Sequence, residues 1–130
     1  MLTQDQHAIT AREFLEKADS HFADGDQIQA SEKLWGAAAH AIMCLCLERG
    51  WRHTSHPAMK QAAERLAQEV GDQQIADRFA IAEKYHRDFY HLFMEDLEWT
   101  TDRPKVRDLV ERVLSLQGNP GENGRTVVDG

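Results

Sequence analysis

From Leu34 to Leu47 the chain reads LWGAAAHAIMCLCL, with His40 as its one strongly polar side chain. The run is too long for a strand and has no alternation of apolar and polar residues, so it reads as a helix that is apolar on nearly every side. Such a helix must be covered on nearly every side, which makes it the centre of a helical assembly. At about 100° per residue, Trp35, Ile42 and Cys46 mark one stripe, while Gly36, His40, Met43 and Leu47 form a second one roughly 100° away. Either a fifth helix covers the second stripe, or a second copy of the chain does, with Gly36 permitting close approach. Gly36, His40, Met43 and Leu47 are therefore candidate homodimer-interface residues, and His40 reads as an interior or interface histidine. Cys44 and Cys46 fall about 200° apart around the same helix, so they can neither pair nor share a metal, and they read as small buried hydrophobes of a reducing compartment.

Outward from this run, glycines divide the chain. A first helix begins at a capping box of Thr3 and Gln6, repeats Ala11, Phe14, Leu15, Ala18 and Phe22, and stops at Gly25. Asp26 caps the central helix, whose apolar face starts at Ile28 and which ends near Gly50. Ser55, followed by His56 and Pro57, opens a third helix with Ala58, Met59, Ala62, Ala63, Leu66 and Val70 on one face, ending at Gly71. Asp72 caps a fourth, expected to run to about Trp99 with Ile75, Phe79, Ala82, His86, Phe89, Phe93 and Leu97 along its core stripe. Asp102 and Pro104 are expected to start a fifth, carrying Val106, Leu109, Val110, Val113 and Leu114. The expectation is an all-α, up-and-down antiparallel bundle of four main helices with a fifth C-terminal helix. It forms one domain over 1–117, and GNPGENGRTVVDG over 118–130 reads as a flexible tail.

The sequence of 130 residues carries 15 Lys plus Arg against 22 Asp plus Glu, a net charge of −7. That sign disfavours extended nucleic-acid binding through neutralised phosphates, though it leaves room for a local RNA site. No window approaches the 18 or so apolar residues of a membrane span and no basic-then-apolar leader opens the chain, which points to a cytoplasmic protein off the membrane. Gly-rich phosphate loops and a G-x-S-x-G elbow are missing, and no cofactor is expected. Seven histidines raise the question of a metal. There is no H-E-x-x-H, His86 and His91 diverge by about 140° on a helix, and Glu-x-x-His occurs once, at Glu83 to His86, so no metal site is expected.

The segment His86-Arg87-Asp88-Phe89-Tyr90-His91 concentrates the remaining chemistry. Arg87 and His91 stand four apart on a helix and can converge on one anion, a guanidinium to hold it and an imidazole to move a proton. Tyr90 flanks His86 one turn on, and His56 opens the third helix.

These segments carry a resemblance. AREFLEKADSHFADGD, QASEKLWGAAAHAIMCLCLERG, TSHPAMKQAAERLAQEVGD and AEKYHRDFYHLFM together resemble the HEPN superfamily of small helical bundles, and most its PaREP-type branch, over about Thr3 to Leu116. The resemblance implies a HEPN-like fold and a homodimer, and it divides on activity. Some such proteins are ribonucleases or toxins that join an Arg and a His separated by four to six residues. Here Arg87 to His91 and Arg52 to His56 enclose three, while Arg49 to His56 encloses six but crosses a turn. Others are binding or accessory modules without a catalytic motif. The expected function is accordingly a homodimeric module that binds a protein partner or a small anionic or nucleotide ligand through His56, His86, Arg87, Tyr90 and His91, without catalysis. The alternative is a metal-independent endoribonuclease or toxin-type RNase using Arg87 and His91.

Overall fold

The structure, a computed structural model, describes residues 2–91 and 96–118, with side chains described for 2–86 and 101–118. Five helices follow one another: α1 (Gln4–Ala23), α2 (Gln27–Arg49), α3 (His56–Val70), α4 (Gln73–His91) and α5 (Asp96–Leu114). No strand occurs among the described residues.

Local chemistry sets most of the ends. The Thr3 hydroxyl accepts from the Gln6 backbone N–H while the Gln6 side chain accepts from the Thr3 N–H, and the side chains of Asp26 and Ser55 accept from the N–H groups of Gln29 and Ala58. Gly50 and Gly71 close α2 and α3 with φ of +74° and +69°, the left-handed region where a Cβ is penalised. The C-terminal stop was read differently from what the chain does. α4 is described to His91, and α5 already begins at Asp96, so Trp99 and Pro104 lie inside α5 rather than at its border. Asp102 is no cap: its carboxylate accepts from Lys84 Nζ at 2.7 Å and Lys105 Nζ at 3.4 Å, and Pro104 merely leaves the Thr100 carbonyl without an intrahelical donor.

The α2 helix touches all four others and lies at the centre. Ala30, Leu34, Ala37, Ala38, Ala41, Ile42, Cys44, Leu45 and Cys46 are all buried, meeting Ala11, Leu15 and Ala18 of α1, Ile75, Phe79 and Ala82 of α4, and Val106, Leu109, Val110 and Val113 of α5 in one core. Burial pushes both thiols up to about 11, so Cys44 and Cys46 are un-ionised interior groups. Ile28, expected on the core face, is 43% exposed. In α4 the phase slips by one residue: Tyr85 is fully enclosed and His86 is half-buried, because the inward set advances from Ala82 by three rather than four.

Part of the second stripe of α2 has an intramolecular neighbour that the sequence did not suggest. Phe14 of α1 lies over Gly36, so close that a Cβ there would stand 2.6 Å from the Phe14 ring, and the same ring meets His40 edge-on at 5.5 Å. Met43 and Leu47 stay half-exposed. Gly36→Ala therefore sets a helix-propensity gain of about 1 kcal/mol against displacement of Phe14. In the intact protein the substitution is expected to destabilise; in a Phe14→Ala background it is expected to stabilise, and urea unfolding of the four proteins checks the change of sign.

Candidate functional site

Three helices bring rings together. Trp35 comes from α2, His56 is the first residue of α3, held there by the Ser55 cap, and Glu83 and His86 stand three apart on one face of α4. The Trp35 centroid lies 4.8 Å from that of His56 and 4.9 Å from that of His86, and the two imidazoles are 5.6 Å apart. Those lengths close a nearly equilateral triangle, so both imidazoles sit to one side of the indole and do not sandwich it. Behind the indole stands Phe79, at 5.6 Å. The Glu83 carboxylate engages His56 Nε2 at 2.6 Å, which fixes the ring and leaves Nδ1 free of that bond. Burial pulls the His86 pKa below its ordinary value, His56 pulls it further, and Glu83 pushes back. At neutral pH His86 is uncharged, able to donate from one nitrogen and accept at the other.

The match to the model of the archaeal PaREP1/PaREP8 family runs over residues 6–110, most of the chain. The chain belongs to that family. A crystal structure of a protein from Sulfolobus solfataricus superposes on this PaREP1/PaREP8 protein with a TM-score of 0.73, covering 82% of this chain and 94% of that one at 23% identity, a likeness of fold. No curated protein matches the chain.

Of the residues singled out in this PaREP1/PaREP8 chain, His56 and His86 are brought together, although thirty residues of sequence separate them. Arg87, Tyr90 and His91 continue α4 beyond His86, and their side chains lie outside the described residues. Two participants were not read as such: Trp35, which the pattern assigned to the core, and Glu83, whose spacing to His86 was weighed only as half of a di-metal motif. Among the described residues no three His, Cys, Asp or Glu are placed to hold a metal ion.

A second group of imidazoles lies where α1 meets α2. His7 Nδ1 and His40 Nδ1 are 2.8 Å apart, and His53, on the α2–α3 connection, stands edge-on to His7 at 6.4 Å. Burial lowers the pKa of both His7 and His40, and each is lowered further by a neighbouring imidazole, His53 for His7 and His7 for His40. This pair ties the start of α1 to the middle of α2. No described helix is long and apolar enough to cross a membrane.

Proposed function

We propose that this PaREP1/PaREP8 protein is a HEPN-like, homodimeric cytoplasmic module that binds a small nucleotide-type ligand at Trp35, His56, Glu83 and His86 and performs no chemistry on it. The observation that carries this reading is the ring triangle braced by the bond from His56 to Glu83. A half-exposed indole offers a stacking face. The neutral His86 and the Glu83 carboxylate offer an acceptor and donor set of the kind that reads the edge of a base. Arg87, Tyr90 and His91 follow His86 along α4, and we assign the anionic part of the ligand to the Arg87 guanidinium. The half-exposed Met43 and Leu47, continuing the stripe of Gly36 and His40, are the surface we assign to the second copy.

The test uses a protein in which Trp51 and Trp99 are replaced by Phe, so that Trp35 alone reports. Titration with AMP, GMP, CMP and UMP is expected to quench Trp35 saturably for at least one of the four, and Glu83→Ala and His86→Ala are each expected to weaken that binding by about tenfold or more. Quenching by none of them, or quenching indifferent to both substitutions, removes the reading. Light scattering is expected to give a dimer for the wild type and a folded monomer for Met43→Glu.

A second reading has an observation of its own. Two imidazoles in one cluster, one of them kept neutral, could serve as base and acid in metal-independent RNA cleavage, with Arg87 and His91 following along α4. Cleavage of single-stranded RNA in EDTA that disappears in His86→Ala would establish it in place of simple binding.

A further inference from the structure

A cluster of positive charge lies where α2 ends and α3 begins, beside a cavity lined by residues other than those of the ring triangle. Its position follows from the end of α2. Gly50 turns the chain left-handed, and the Trp51 N–H then bonds back to the Cys46 carbonyl at 2.9 Å, a closure that fixes the Trp51 backbone. Ala58, Gln61, Ala62 and Arg65, at helical steps along one face of α3, stand opposite. Between them is a cavity of about 270 Å³, lined also by Arg52. The Arg65 guanidinium lies over the Trp51 ring at 4.4 Å from its centroid.

Four arginines elsewhere keep a carboxylate partner. Arg49 is held by Glu48 and Glu69, Arg103 and Arg107 by Asp19, and Arg112 by Asp72. Among the described residues Arg52 and Arg65, like Arg12 and Arg78, have no ion-pair partner. In a chain of net charge −7, two guanidiniums without a carboxylate partner lining one cavity with an indole wall are a local reversal of sign. Guanidinium groups are matched to phosphate in shape and charge, and the Ala58 and Ala62 floor takes a small carbon skeleton. The size falls just below the usual range of ligand pockets, about 300–1,000 Å³, which suits only a compact molecule.

We propose that this cavity is a binding site for a phosphate monoester, with Arg52 and Arg65 on the phosphoryl oxygens, Gln61 available as a further donor, and the sugar or carbon body against Ala58 and Ala62. It is separate from the ring triangle and does not depend on it. Ribose 5-phosphate is the discriminating probe, because it presents the phosphate and has no base to stack on Trp35.

Isothermal titration of the full chain at low salt is expected to show saturable binding of ribose 5-phosphate and none of ribose. Arg52→Ala and Arg65→Ala are each expected to weaken it by about tenfold or more, and Arg65→Lys by less, since Lys keeps the charge and loses the fork. Both arginines are exposed, and an unchanged helical signal in each variant confirms folding. Glu83→Ala is expected to leave this binding unchanged while weakening the nucleotide binding read by Trp35 quenching by about tenfold or more. No binding of ribose 5-phosphate, binding shared by ribose, or binding that survives the double arginine variant overturns the proposal. Loss in Glu83→Ala with retention in the arginine variants overturns it too, and moves the phosphate to the ring triangle.

Discussion

Phe79→Ala is expected to lower stability by about 3–5 kcal/mol, read from urea unfolding at neutral pH. Phe79 is 1% exposed, inside a core to which all five helices contribute, so most of the space it fills is bounded by packed apolar side chains. The residual cavity adds to the lost transfer free energy. The consequence reaches the site, because Phe79 is the ring behind Trp35. With that support gone, the indole can retreat from His56 and His86, and nucleotide affinity should fall in the fraction that is still folded. Ile75→Val, one turn earlier in the same core, should cost only about 0.5–1.5 kcal/mol and leave affinity intact. A loss below about 1 kcal/mol for Phe79→Ala would mean that the core closes over the gap and that Phe79 does not brace the site.

The legibility of this chain divides by the range of the interaction. The stops at Gly25, Gly50 and Gly71 and the caps at Thr3, Asp26 and Ser55 could be read because each is settled within about four residues. The border between α4 and α5 could not, since Asp102 looks like a cap and is engaged instead by Lys84, eighteen positions back on another helix. Nothing near Asp102 in the sequence tells these uses apart. Tyr85 and His86 illustrate a finer limit. A turn of about 100° separates adjacent residues, and the choice of which one faces inward is made by neighbouring helices.

The candidate site was legible as members and not as a set. His56 and His86 stood out individually, one by its place at a helix start and one by its polar cluster. Their meeting depends on the α3–α4 hairpin folding back at Gly71, and the bond from His56 to Glu83 spans twenty-seven positions. Gly36 shows the same limit from the other side. Its smallness announced a close approach, while the identity of the visitor, Phe14, was set by how α1 pairs with α2. The bond between His7 and His40 had no local trace at all.

That bond leads to the second large effect, loss of stability in mild acid. With Nδ1 facing Nδ1 at 2.8 Å, one ring must donate and the other must present a lone pair, so the contact survives only while at least one imidazole is neutral. His7 is 5% exposed, His53 stands beside it, and Phe14 closes over His40, so a second proton would enter with little water to solvate it. His7, His40 and His86 all have pKa values lowered in the folded chain, burial being the first cause in each. Well above about pH 6.5 neither state carries protons on these rings and they contribute no slope. As the pH falls through that value, the unfolded chain takes up protons that the folded chain refuses, and stability declines until the lowered folded values are reached. Asp102 acts in a separate, more acidic window: burial raises its pKa, the bonds from Lys84 and Lys105 together lower it by more, and its net depression affects stability only below about pH 4. The urea midpoint is therefore expected to be level from pH 8 to 7 and to fall between pH 6.5 and 5, with the fall flattened in the His7→Gln, His40→Gln double variant. A wild-type midpoint that stays level to pH 5, or a double variant that falls as steeply, would remove the pair as the source. Because His7 fastens the start of α1 to α2, amide exchange in the first turns of α1 should quicken before the rest of the bundle as the pH drops, which a uniform loss of stability would not produce.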